Sequence, residues 1–322
     1  MTVQEFVQKA KGRLRIHLMQ LRRWRMVMKV KAKKRARAAI PEVYTETPET
    51  SLIVQSFNHR KNIAGIVAGV RRTSAEELII CEDGSVDGSE AAWAKEMPRP
   101  NDFIIRSNDL HEIRTYNRAV SLARGEFIGL LQDDDIPPGD GRWVSDAVRL
   151  FRAHQDLAVL GGVAGGCALG ASDDDVVYPG GASFQPLDAI TSMDPETGIP
   201  FKFVDAVWIG PLFFRRDVFL ELGGFDLRFS GPGEPGIWLD YDLCLRSWLS
   251  GRQVGMYVSS SFRRQVGGQG SVIFSGGKRA ENYQRNKAYV ERTYGEHIAD
   301  VHRTIADLNR RLPERGRVGA AL

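Results

Sequence analysis

The sequence predicts an α/β fold: a mainly parallel central sheet flanked by helices, with a basic helix before it and further helices after it. Short apolar runs alternate with segments of helical spacing from residue 51 to about residue 131. Each of the first four runs ends in a polar cluster. A polar, proline-containing stretch at 41–50, PEVYTETPET, separates this alternation from what precedes it. Strands covered by helices on both faces read as nearly continuous apolar runs, and these runs do.

Taken in order, residues 51–56 (SLIVQS) read as a buried strand, and 58–72 as a helix with Ile63, Ile66, Val67 and Val70 on one side. A second strand follows at 77–81 (ELIIC), a helix at 89–97, a third strand at 102–106 (DFIIR), a helix at 112–124 and a fourth strand at 126–131. Beyond Pro138 the pattern is mixed. Helices are expected at 143–154, 217–222, 240–249, 281–294 and 297–312, one strand region at 203–214, and a long loop over 173–200. The chain thus divides into a basic amphipathic arm (1–40), a linker (41–50), a domain at 51–275 with halves 51–138 and 139–275, and a C-terminal helical extension (276–322).

Composition bounds the class. Of 322 residues, 43% are hydrophobic and 26% charged, as in an ordinary globular protein. No apolar stretch of about 18 residues is present, so no spanning helix is expected. Nor is a secretory signal expected, because no uninterrupted apolar core follows the basic start. Cys81, Cys167 and Cys244 lie far apart, which argues against a disulfide framework or a cysteine zinc site and for a reducing, cytoplasmic setting. The formal charge of +4 hides an asymmetry: residues 1–40 hold 13 Lys or Arg and one acid, so they carry +12 and the remainder −8.

In open parallel sheets ligands sit at the carboxyl ends of strands. Here Phe57-Asn58, Glu82-Asp83, Asn108-Asp109 and the run Asp133-Asp134-Asp135 follow the four strands in turn. Three adjacent carboxylates repel one another, and a divalent cation held through oxygen ligands would offset that repulsion. In an extended segment Asp133 and Asp135 face the same way and can share an ion, with Asp134 turned toward a ribose hydroxyl. The plain reading is a solvated acidic loop with an Asp capping the next helix; position at a strand end favours the cation. Glu82 and Asp83 sit in a tight turn (CEDGSVDGS) that caps a helix, accepts from a nucleobase N–H, or does both. Arg114 is either a surface charge or a partner for a diphosphate or for Asp83. Late in the chain Asp240 opens an apolar-periodic helix, either as its cap or as a general base. Asp242 and Arg246, four apart, suit a helical ion pair.

With these residues in view, residues 51–251 resemble glycosyltransferase family 2, the inverting GT-A group. The carrying pieces are the aromatic-Asn turn at Phe57-Asn58, the acidic turn at 82–89, Asn117 before Gly125-Glu126-Phe127, the DXD-like Asp133–Asp135, and GGFD at 223–226 followed by Asp240 to Arg246. The resemblance implies a GT-A fold, Mg2+ or Mn2+, and a nucleotide-sugar donor (UDP-, dTDP- or GDP-sugar). It implies Gln55, Phe57, Asn58, Glu82, Asp83, Arg114, Asn117 and Asp134 around the donor, and metal on Asp133 and Asp135. Asp240 takes the catalytic-base position, and Trp208, Gly210 and Glu234 lie toward a saccharide or lipid-linked acceptor. Transfer in polysaccharide, lipopolysaccharide or glycoconjugate synthesis follows. The sequence departs from the family pattern at Glu82, usually Asp, and at Leu239, which replaces the acid before the base; Glu234 is therefore a second candidate base. Arg264 and Gln265 stand where many members have a metal-binding histidine.

Three other classes fit less well. A sugar nucleotidyltransferase needs a Gly-rich, Arg-bearing loop after the first strand, and QSFNHRKN is not one. A dinucleotide dehydrogenase needs GxGxxG after a strand, and LGGVAGGCALG lacks that spacing. A nucleic-acid-binding protein using the basic arm is disfavoured by the body's charge, and no nucleic acid is expected. The arm places Phe6, Leu14, Leu18, Leu21, Trp24 and Met28 in one helical stripe, interrupted by Arg25. It reads equally as a solvated tail or a helix packed on its own body, or as an interfacial helix on the anionic inner face of the cytoplasmic membrane.

Overall fold

A computed structural model describes residue 26 and residues 44–97, 99–108, 110–162, 165–166, 190–231, 234–258, 263–264 and 277–314. The chain divides into two compact units, Thr45–Met97 with Asn101–Leu322, and Met1–Tyr44 with Pro98–Pro100. In the smaller unit Met26 is helical and exposed; the hydrophobic stripe expected of the arm otherwise lies outside the described residues.

The larger unit is built on a sheet whose first four strands are those the apolar runs foretell. They are β1 (Thr50–Ser56), β2 (Glu77–Glu82), β3 (Phe103–Arg106) and β4 (Phe127–Gln132). They pair in parallel in the order β3-β2-β1-β4. Register aligns their carboxyl ends: Gln55 lies opposite both Cys81 and Gln132, and Glu82 opposite Arg106. The four polar clusters therefore share one edge. The crossover helices are α1 (Ile63–Val70), α2 (Ser89–Glu96) and α3 (His111–Leu122).

Beyond β4 the sheet becomes mixed. A two-residue strand β5 (Asp135–Ile136) leads to helix α4 (Arg142–Ala153) and strand β6 (Leu157–Gly161); β7 (Gly165–Gly166) follows. The expected strand region at 203–214 is three pieces: β8 (Phe201–Phe203), β9 (Ala206–Val207) and β10 (Leu212–Arg215). The run breaks at 208–211, where Gly210 has φ +115 and precedes Pro211. β10 lies antiparallel between β4 and β6. Helix α5 (Arg216–Glu221), helix α6 (Leu239–Leu249) and strand β11 (Gln253–Tyr257) complete the body. β11, which the apolar pattern did not predict, pairs with β6 in parallel and with β8 antiparallel. The core has close backbone approaches: a Cβ on Gly129 of β4 would collide with Phe213 and Leu52.

The two expected C-terminal helices are one, α7 (Gly277–Asn309), 33 residues long. Gly295 was the expected break. A lone glycine costs about 1 kcal/mol in a helix but does not end it, and the buried stripe runs through it without change of phase. Asn282, Asn286, Val290, Tyr294, Ile298, Val301 and Ile305 are all buried at three- and four-residue spacing. Among the described residues no helix is long and apolar enough to cross a membrane.

Candidate functional site at the carboxyl edge of the sheet

The loop after β1 is the hub of this edge. Asn58 takes a left-handed conformation (φ 56), which an Asn tolerates better than most residues. Its N–H donates to Ser85 Oγ at 3.0 Å, and its Oδ1 accepts from Val86 N–H at 2.8 Å. Arg60 N–H donates to Asp87 at 2.9 Å. The same loop holds Asp133. Phe57 N–H donates to Oδ2 at 2.6 Å, His59 Nδ1 lies 2.7 Å from Oδ1, and Asn62 Nδ2 donates to the main-chain carbonyl at 2.8 Å. His59 was not foreseen as a site residue. It directly follows the aromatic-Asn turn, but the partner that gives it meaning is 74 residues away. The hydrogen bond and charge of Asp133 raise the His59 pKa, whereas burial lifts that of Asp133.

Asp133 and Asp134 form a turn between β4 and β5, not the extended segment that would point Asp133 and Asp135 the same way. Asp135 is buried, and its Oδ2 accepts from Gln132 N–H at 3.2 Å. A Cβ on Gly210 would collide with the Asp135 carboxylate, so this loop position requires glycine twice over, for space and for φ. The residue next to Gly210, Ile209, donates its N–H to Asp240 Oδ2 at 3.4 Å. One short loop thus touches Asp135 on one side and Asp240 on the other, and Trp208 begins it.

The remaining expected donor residues are also placed. Gln55 and Phe57 are half-buried at the end of β1. Glu82 and Asp83 are buried and bonded within the protein. Glu82 accepts from Ser85 N–H at 2.9 Å and Gly84 N–H at 3.3 Å. Asp83 accepts from Ser107 Oγ at 2.7 Å and from the N–H groups of Leu110 and His111, each at 2.9 Å. It therefore serves the start of α3, where negative charge is stabilised. Arg114 donates to Ser230 O at 3.1 Å, not to Asp83. Asn117 clasps Phe225, accepting from its N–H at 2.9 Å and donating to its carbonyl at 2.8 Å.

The two candidate bases differ electrostatically. Asp240, the second residue of α6, is half-buried, and burial pushes its pKa up to about 6, with the charge of Glu112 adding to the rise. Glu234 is pulled down by the Gly231 N–H bond at 3.0 Å and by Arg285, 3.3 Å away. The expected ion pair of Asp242 with Arg246 is present at 2.6 Å, with Tyr294 donating to Asp242 at 2.6 Å.

Donors consisting of carboxylate oxygen suit Mg2+ or Mn2+, which ordinarily take one or two carboxylates and complete their shell with phosphate and water. The consecutive carboxylates of Asp133, Asp134 and Asp135 at the strand end offer donors of that kind. No group of three or more His, Cys, Asp or Glu arranged to hold a metal occurs among the described residues. Residue 264, where the histidine was missing, lies directly opposite Asp135 in the antiparallel pairing of β12 (Arg263–Arg264) with β5.

Residues 51–170 match the family model Glycosyl transferase family 2. Over that segment the chain is similar to glycosyl transferase family 2. The family match covers β1 to β4 and the aspartate turn. A curated relative, "Putative glycosyltransferase EpsH" of Bacillus subtilis (strain 168), is 32% identical over 95 residues, 28% of this chain and 27% of that protein. The chain therefore spans about a quarter of the length of the curated relative it matches. Among solved structures, S. aureus TarS 1-349 is similar at 16% identity and TM-score 0.45, over 67% of this chain and 60% of that one. Mannosyltransferase PcManGT from Pyrobaculum calidifontis, in complex with GDP-Man and Mn2+, is similar at 16% identity and TM-score 0.46, over 73% and 64%.

Proposed function

We propose that the protein is an inverting glycosyltransferase that moves a sugar from a nucleotide-diphosphate donor to an acceptor hydroxyl, with Asp240 as general base. The observation that carries this reading is the 208–211 loop, which packs against Asp135 through Gly210 and bonds Asp240 through Ile209. It sets the donor edge of the sheet beside a carboxylate whose proton affinity is raised.

Phe57 and Gln55, half-buried at the tip of β1, face the base and ribose, with Asn58 fixing the loop that carries them. Asp134 and Asp135 would hold the Mg2+ or Mn2+, and Asp133 is fixed in place by Phe57 and His59. When bound, the cation supplies positive charge against the donor diphosphate. Asp240 takes the proton from the acceptor oxygen as that oxygen bonds to the anomeric carbon. The bond to the diphosphate breaks on the opposite side, and its electron pair leaves with the diphosphate. A base with pKa about 6 is still mostly ionised at pH 7 and binds a proton more strongly than an ordinary carboxylate. Glu234, lowered and paired with Arg285, is the poorer base. The destination on this reading is a cell-surface polysaccharide, lipopolysaccharide or glycoconjugate, and a lipid-linked acceptor would suit a basic arm resting on anionic membrane.

The test is a thermal-shift screen of UDP-, dTDP- and GDP-sugars with Mn2+, followed by transfer assays. Asp135→Ala should lose the Mn2+-dependent stabilisation. Asp240→Asn should keep it and lose transfer by about 100-fold or more. Loss of donor binding in Asp240→Asn would remove the base assignment.

A further inference from the structure

The base sits near the start of a helix, and what holds that helix start is an element outside the family match. Helix α7 meets the chain on both sides of Asp240. Asn286, buried at 2% exposure, donates both hydrogens of its amide: one to Phe229 O at 2.8 Å and one to Ile237 O at 2.8 Å. Its Oδ1 accepts from Arg285 Nε at 3.1 Å, so each end of the amide has a partner. Ile237 is three residues before Asp240. Eight residues after Asn286, on the same face of α7, Tyr294 donates to Asp242 Oδ1 at 2.6 Å. Asp242 is two residues after Asp240 and is also gripped by Arg246, which in turn binds the carbonyls of Leu222 and Gly224 at 2.7 and 2.8 Å.

A fold that only needed α7 as cover would be served by apolar contacts, and Val290, Ile298, Val301 and Ile305 supply those. Burying an amide costs free energy unless all of it is bonded, so a buried Asn that satisfies two carbonyls across an eight-residue separation specifies geometry. The geometry specified is the chain entering α6. Trp238, between Ile237 and Leu239, is held at φ 71, which a bulky side chain rarely adopts, and its indole Nε1 is buried without a hydrogen-bond partner. A conformation of that kind persists only where its surroundings impose it, and the Ile237 carbonyl next to it is bonded by Asn286.

We propose that Asn286 and Tyr294 are positioning residues that fix Asp240 from the two sides, making helix α7 a working part of the acceptor half. The inference rests on Asp240 being the base. Displacing a catalytic group by about 1 Å can cost on the order of 100-fold in rate, whereas the sheet edge that binds nucleotide does not depend on this clamp.

The experiment uses the full chain with Asn286→Ala, Tyr294→Phe and, as reference, Asp240→Asn. Three readouts are taken: turnover of the nucleotide sugar accepted in the screen, calorimetric binding of UDP and GDP with Mn2+, and the carboxyl titration of Asp240. That titration is followed by 13C NMR of aspartate-labelled protein, with the Asp240 signal assigned by its loss in Asp240→Asn. In Asn286→Ala turnover falls at least tenfold, nucleotide binding stays within twofold, and the Asp240 midpoint drops toward the ordinary carboxylate range as water reaches it. Tyr294→Phe, which keeps the ring and removes only the hydroxyl, shows the same pattern at smaller amplitude and decides the matter if Asn286→Ala does not fold. Unchanged Asp240 titration in the folded variants overturns the proposal, as does a loss of turnover that tracks loss of nucleotide binding. If the titration moves while Asp240→Asn retains full turnover, the clamp stands and the base assignment fails.

Discussion

A single carboxylate shows how residue environment sets chemistry here. Asp240 accepts hydrogen bonds from Tyr241 N–H at 3.0 Å and from Ile209 N–H at 3.4 Å, both of which favour the ionised form, yet burial outweighs them. The folded protein therefore holds the Asp240 proton more tightly than the unfolded chain does. Well below pH 4 both states are protonated and Asp240 adds no cost. As pH rises through 4 to 6 the unfolded chain ionises first and gains, so this contribution to stability is lost as pH passes the folded value of about 6. Asp240→Asn lacks that loss. The unfolding free energy of the variant relative to wild type should therefore rise by roughly 2 kcal/mol between pH 4 and pH 7.5, after allowance for Asp240's partial exposure. Urea unfolding at the two pH values measures it. A difference independent of pH would mean Asp240 is well solvated, and would leave Glu234 as the equal candidate.

At the scale of elements, what the sequence shows and what it hides divide along contact range. Strands β1 to β4 and the helices between them are legible because each is a local pattern: SLIVQS and ELIIC are apolar over their whole length, and Ile63, Ile66, Val67 and Val70 repeat at helical spacing. The polar cluster after each strand was legible for the same reason. Strand β11 was not, because QVGMY is short and interrupted by glycine, and its stability comes from pairing with β6 and β8. The turn at Asp133 and Asp134, the His59 contact and the Asn286 clamp were likewise hidden, since each depends on partners far along the chain. Helix α7 is the opposite error, a break read where only a glycine stood. Gly295 is exposed, and a Cβ there would meet nothing within 4 Å. Gly295→Ala should accordingly stabilise the protein by about 0.5–1 kcal/mol through helix propensity and reduced unfolded-state entropy. Chemical denaturation detects it, and a destabilised variant would show that α7 is kinked or broken at that residue in solution.

For the whole molecule the governing quantity is the division of charge. Residues 1–40 carry +12 and the other 282 residues carry −8. A net charge of +4 spread evenly would bind little; the same charge divided into a basic segment and an acidic remainder would bind anionic surfaces through the basic segment, with the remainder repelled. Each Lys or Arg near an anionic bilayer contributes about 1 kcal/mol, and that attraction falls off within a Debye length of about 10 Å at 0.1 M salt. The full chain should therefore sediment with vesicles containing phosphatidylserine at about 0.1 M salt and be released at about 1 M, where the Debye length shrinks to about 3 Å. Residues 41–322 should stay in the supernatant at both, and phosphatidylcholine vesicles should take neither. The control matters for the chemistry: if 41–322 transfers sugar to a soluble acceptor as fast as the full chain but loses rate only on a vesicle-borne acceptor, the arm delivers the site to its substrate. Equal vesicle binding by the two proteins would place membrane affinity in the acidic body, contrary to its charge, and would leave the arm without this role.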